Sequence, residues 1–158
     1  MAFPGDLLGY RAVLCQDPHG SSAEVLQPSR VCFIATRILR GLLTDYPELG
    51  QGLLRQALAD LDRTEADYVA LLTRGLRERF LQLLVMLYER HGRELGESGH
   101  ALDLPISRKD IADLLGATAE AISRLTSRLE AEGLIRFDGR TVLFDTLSNL
   151  ETAAQPQH

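Results

Sequence analysis

The sequence has no tryptophan, only two cysteines and two methionines among 158 residues, and aromatics make up just 6%. So little cysteine excludes a disulfide-stapled scaffold. No apolar run approaches the roughly 18–20 residues of a membrane span. The opening Met1-Ala2-Phe3-Pro4-Gly5-Asp6 also lacks the basic and apolar regions of a signal peptide. The expectation is a cytoplasmic chain with no membrane partner, with Cys15 and Cys32 as reduced core residues. Positive charge is short as well: 17 Lys+Arg face 22 Asp+Glu, for a net charge of −5. That balance excludes nucleic-acid binding by bulk charge alone. There is no Walker A loop, GxSxG elbow or HExxH pair, and His19, His91, His100 and His158 are scattered at positions that read as solvated. A non-enzyme with no cofactor and no metal site is expected.

What is present suffices for a globular protein, since 45% of residues are hydrophobic and 25% charged. Residues 1–35 read as short strands, Leu7-Leu8-Gly9-Tyr10, Ala23-Glu24-Val25-Leu26 and Val31-Cys32-Phe33-Ile34, between turn residues. They are too few for an independent sheet and would leave unpaired edges. Residues 36–91 read as helical. After Pro47, Leu54, Ala57, Leu61, Thr64, Tyr68 and Leu71 recur with 3,4 spacing. That stripe suits a helix meeting a second copy of itself, and also one lying on its own core. As a dimer seam it is assigned to Leu54, Leu58, Leu61, Tyr68 and Leu72. Beyond Gly75, Leu76, Phe80, Leu83, Leu84 and Leu87 share a second apolar face, with Arg74, Arg77, Glu78 and Arg79 on the solvated side. The glycines between His91 and Leu104 read as a loop.

The chemistry is concentrated in residues 105–145. Ser107 is placed to cap a short helix, with Asp110 three residues on able to reach back, and Ile111, Leu114 and Leu115 supply its apolar face. Gly116 permits a tight exit, and Thr118 caps a second helix that buries Ile122, Leu125 and Leu129. Helix, short glycine turn and helix make a helix-turn-helix. The exposed face of the second helix carries Glu120, Ser123, Arg124, Ser127 and Arg128. Arginine takes guanine O6 and N7 bidentately, glutamate accepts from cytosine N4, and serine bonds several bases. A plain solvated face would show the same residue types, but the segment beyond this helix tells against it. Leu134-Ile135-Arg136-Phe137, Asp138-Gly139 and Thr141-Val142-Leu143-Phe144 read as a hairpin, which makes a winged helix with Arg136 and Arg140 near phosphate. Six basic residues face seven acidic ones in this stretch, so placement rather than net charge must supply binding.

At these residues the sequence resembles the CRP/FNR family of bacterial transcription regulators. The resemblance rests on Ser107-Arg108-Lys109-Asp110-Ile111-Ala112, Leu115-Gly116, Glu120 with Ser123-Arg124, Leu129-Glu130, Glu132-Gly133-Leu134-Ile135 and Gly139-Arg140. Glu120-x-x-Ser123-Arg124 is similar to the FNR-type recognition helix, which implies a TTGA-like half-site with Arg124 on its guanine. DNA contacts are thereby assigned to Ser107, Arg108, Thr118, Glu120, Ser123, Arg124, Ser127, Arg128 and Arg140. Gly5-Asp6-Leu7-Leu8-Gly9 and Ser22-Ala23-Glu24-Val25 look like the second half of the family's sensory β-roll, taken up about midway. Ser21 stands where cyclic-AMP-binding members place an arginine, which tells against a cyclic nucleotide. Cys32 matches one of four cysteines that hold an iron–sulfur cluster in some members, and one thiol cannot hold it.

The resemblance implies an α+β fold. Its parts are a partial β-roll over 1–40, a dimerisation helix and following helix over 41–91, a loop over 92–104, a winged helix-turn-helix over 105–150 and a tail over 151–158. It implies a homodimeric regulator with double-stranded DNA and RNA polymerase as partners. The other reading is a truncated dimerising module that titrates a partner regulator without effective DNA binding of its own.

Overall fold

A computed structural model describes residues 2–96 and 99–155 of the chain, which divides into two units, residues 1–67 and 68–158. The first holds helices α1 (Tyr10–Cys15) and α2 (Thr36–Asp45) and most of α3 (Pro47–Thr73), whose last turns belong to the second. Then come α4 (Leu76–His91), strands β1 (Gly92–Glu94) and β2 (His100–Asp103), and helices α5 (Arg108–Leu114) and α6 (Ala119–Ala131). Strands β3 (Arg136–Asp138) and β4 (Thr141–Phe144) and helix α7 (Leu147–Ala153) complete the order. The α+β class expected from the sequence is what forms.

In the first unit the expected half-roll is not built: residues 2–35 contain no strand. Gly9 turns left-handed (φ 75°) and Tyr10 opens a helix in place of the expected Leu7–Tyr10 strand. Tyr10 is buried, and its hydroxyl donates to Asp60 Oδ2 on α3 at 2.7 Å. Gln56 Nε2 donates to the other carboxylate oxygen at 2.9 Å. The Tyr10 bond, first among several causes, holds the Asp60 carboxyl below its ordinary range. The segments 23–26 and 31–34 stay irregular because four-residue apolar runs gain a ladder only from a neighbouring strand, and none stands beside them. Phe33 is accordingly 89% exposed, and Cys15 and Cys32 are exposed free thiols rather than core residues.

The second unit is organised by α4. Phe80, Leu81, Leu84 and Leu87 are fully buried there against Leu102, Ile111, Ile122, Leu129, Val142 and Leu150. The expected loop over 92–104 instead contributes half of a four-stranded antiparallel sheet, in the order β1-β2-β4-β3. Ala101 pairs with Leu143 and Leu102 with Val142, so the wing strand β4 supplies the ladder that makes β2 a strand. Gly92 belongs here because a Cβ at this position would collide with the Tyr88 ring. His100, read from the sequence as solvated, is half-buried: its ring stacks on Phe144 and its Nδ1 is hydrogen-bonded to the Tyr88 hydroxyl at 2.5 Å. Helix α7 extends past residue 150 into the expected tail and buries Leu150. It begins at a Thr146 cap that sequence reading passed over.

Candidate nucleic-acid interface

The first helix of the motif is set by its cap. The Ser107 hydroxyl accepts from the Asp110 amide at 3.2 Å, and the Asp110 carboxylate accepts from the Ser107 amide at 2.8 Å. Both arms of the expected capping box are therefore made. The Ser107 hydrogen bonds hold the Asp110 carboxyl below its ordinary range. Because the folded value is lowered, this carboxylate stabilises the fold fully above about pH 4, its unfolded value, and the contribution is lost as pH falls further. Asp110→Ala should therefore lower the melting temperature at neutral pH, and thermal melts of variant and parent should converge as pH falls below about 4.

The exit is a Schellman turn. With Gly116 at φ +59°, its amide reaches the Asp113 carbonyl at 3.3 Å and the Ala117 amide reaches the Ala112 carbonyl at 2.9 Å. A Cβ-bearing residue would be strained in that conformation, so the angle between α5 and α6 depends on this glycine. Thr118 then caps α6, its hydroxyl accepting from the Ala121 amide at 3.1 Å. The far end closes the same way, with the Leu134 amide on the Leu129 carbonyl at 3.1 Å.

Side chains on α4 brace this arrangement, and the sequence reading of them as merely solvated is corrected. Arg79 Nη1 donates to the carbonyl of Leu115, the C-cap of α5, at 2.9 Å. Arg77 pairs with Glu132, the C-cap of α6, at 2.7 Å. A long side chain bonding a helix-end carbonyl 36 positions away leaves no local signature in the sequence.

The nine residues assigned to DNA contact are all exposed. On α6, Ile122, Leu125, Thr126 and Leu129 are buried, which turns Glu120, Ser123, Arg124, Ser127 and Arg128 outward. Ser107 and Thr118 sit at the two helix N-termini, where free amides favour an anion. The wing turns at Gly139-Arg140, with positive φ at Gly139, the first loop position. Arg140 is not wholly free: its Nη2 donates to the Leu104 carbonyl at 3.1 Å. The Arg108 guanidinium lies 4.9 Å over the Phe137 ring, and Phe137 N–H donates to Glu130 Oε1 at 2.9 Å. Sequence reading did not single out Glu130 or Phe137 as positioning groups, because the contacts join three elements that no periodicity links.

This geometry, two capped helices with a polar outer face and then a hairpin, has known counterparts. Residues 78–152 match the Crp-like helix-turn-helix domain family. The chain belongs to the CRP/FNR family of transcription regulators. This CRP/FNR chain is 34% identical over 131 residues to a probable transcriptional activator of Rhizobium leguminosarum bv. viciae, covering 82% of the chain and 54% of that protein. It is 32% identical over 148 residues to the anaerobic regulatory protein of Haemophilus influenzae, covering 93% and 56%. Among solved structures, FixK2 from Bradyrhizobium japonicum superposes with a TM-score of 0.64 at 26% identity, covering 79% of this chain and 61% of that one. The CRP/FNR chain thus spans a little over half the length of the curated relatives it matches. Those relatives are regulators by name, not enzymes. No helix among the described residues is long and apolar enough to cross a membrane.

Proposed function

We propose that this chain is a sequence-specific DNA-binding regulator that acts in the cytoplasm as a homodimer on a pseudo-palindrome of TTGA-like half-sites, with RNA polymerase as its further partner. The observation that carries this reading is the outer face of α6. Glu120, Ser123, Arg124, Ser127 and Arg128 stand exposed there, and their side chains have no hydrogen-bond or ion-pair partner among the described residues. A helix face spent on neither core nor neighbours keeps its full donor and acceptor capacity for base edges. The two capped N-termini and the wing provide phosphate contacts that set the register of that helix in a major groove.

Support for the homodimer comes from α3, where Leu54, Leu58, Leu61, Tyr68 and Leu72 are all more than half exposed. A soluble helix rarely leaves so regular an apolar stripe to water. A two-fold dimer would bring two recognition helices to successive major grooves, about 34 Å apart. Selection of bound duplexes from a random pool tests the reading. Two inverted TTGA-like half-sites with centres about 10 base pairs apart are expected. Enrichment of a single half-site, or of no sequence, would overturn it.

A further inference from the structure

We propose that Phe137 is a positioning residue that holds Arg108 as a phosphate clamp beside the recognition helix; this rests on the DNA-binding reading. Arg108 opens α5, is exposed, and makes no ion pair or hydrogen bond among the described residues. Its contact is with the Phe137 ring, 4.9 Å below the guanidinium carbon. Phe137 is half-buried against the core, so the ring is a fixed platform rather than a loose side chain. Its backbone is fixed as well. The Phe137 amide donates to Glu130 Oε1 of α6 at 2.9 Å, and the residue pairs with Val142 across the wing. Three elements therefore meet at one residue: α5 through Arg108 on the ring, α6 through Glu130 on the backbone amide, and β3 itself.

The chemistry of that contact suits an anion. A guanidinium over a ring face is attracted by the ring quadrupole and spends none of its five N–H donors. A carboxylate in the same place would neutralise the charge and occupy two donors. The nearest acid along α5, Asp110, is committed to the Ser107 amide. Arg108 thus stays cationic, ordered and unsatisfied, which reduces the side-chain ordering that a phosphate contact requires. The ligand is the phosphodiester backbone rather than a base, so sequence should not matter to this pair.

The test is a double-mutant cycle on the full chain, titrating a duplex with inverted TTGA half-sites and a scrambled duplex of equal length. Phe137→Leu is expected to weaken both by the same factor, about two- to fivefold, and Phe137→Tyr to bind as the parent does. In an Arg108→Gln background, Phe137→Leu should change nothing further, because the clamp is already gone. A merely structural role for Phe137 would make the two losses multiply, and that result overturns the proposal while leaving the DNA-binding reading intact. Failure of the parent chain to bind either duplex overturns both. NMR gives a readout that needs no DNA. Ring-current displacement of the Arg108 side-chain protons is expected in the parent and in Phe137→Tyr but not in Phe137→Leu, and its absence from the parent overturns the proposal.

Discussion

Arg124→Ala is expected to weaken binding to the selected duplex by about 1–3 kcal/mol and to erase the preference for guanine at one position of each half-site. The reason lies in how α6 is anchored. Ile122, Leu125 and Leu129 are buried beneath it, so the helix cannot roll to bring another arginine to the same place. The Thr118 cap and the Schellman turn at Gly116 fix where it starts. Arg124 stands on the outer face with Glu120 and Ser123 beside it, all three exposed. Lysine there would keep the charge and lose the fork that matches guanine O6 and N7, so Arg124→Lys should lose discrimination nearly as fully as alanine. Competition gel shifts with all four bases at that position check this. Discrimination that survives in Arg124→Ala would remove Arg124 from the reading role.

Leu61→Glu is expected to convert the protein to monomers. A carboxylate placed in an apolar seam without a partner costs about 3–5 kcal/mol, which raises the dissociation constant by roughly two to three and a half orders of magnitude. Two helical registers are compatible with the apolar spacing of α3. One takes Leu54, Ala57, Leu61, Thr64, Tyr68 and Leu71, and the other takes Leu54, Leu58, Leu61, Tyr68 and Leu72. Leu54, Leu61 and Tyr68 belong to both, and Leu61 lies between the other two, which is why it is the residue to change. Exposure favours the second register at one position, where Ala57 is half-buried and Leu58 is 53% exposed; Leu71 and Leu72 both face outward. Glutamate is a good helix former, so helical circular dichroism should persist while sedimentation equilibrium reports the monomer. A dimer of unchanged affinity would place the seam elsewhere. Monomers that keep full affinity for the palindrome would show that dimerisation and DNA binding are separate.

The helix-turn-helix was legible because each of its signals is local. Ser107 with Asp110, Gly116, Thr118 and Gly133 act within one helical turn, and the backbone angles and hydrogen bonds they require are the ones that form. The apolar face of α4 was legible for the same reason, because 3.6-residue spacing is a property of adjacent positions. The wing hairpin was legible in Asp138-Gly139 between two apolar runs, but its turn falls one residue later, on Gly139-Arg140, because Asp138 still pairs with Thr141. Its partner hairpin was not legible. Gly92, Gly96 and Gly99 read as loop, and β1 and β2 become strands only because β4 lies alongside.

The N-terminal segments show the converse. Ala23–Leu26 and Val31–Ile34 have the composition of strands, yet they do not pair. Strand propensity measures how a residue fits a pleated, half-buried surface, and it has no force where no such surface exists. Cys32 is exposed for that reason, and Cys15 lies exposed at the end of α1.

The sequence by itself determined the helical stretch over 36–91, helices α5 and α6 with their Ser107 and Thr118 caps, the glycine turns and which side chains of α6 face outward, because those depend on interactions within a few residues. Tertiary structure alone decided that Arg79 braces the Leu115 carbonyl, that Arg108 rests on Phe137 and that the loop over 92–104 joins the wing sheet. Those depend on groups 36, 29 and about 40 positions apart in the chain, brought together only when the α4 core closes. The scarcity of positive charge takes its meaning from the same division. Composition excluded binding by bulk charge, and the packing of Ile122, Leu125 and Leu129 turned the few arginines and serines of one helix face outward.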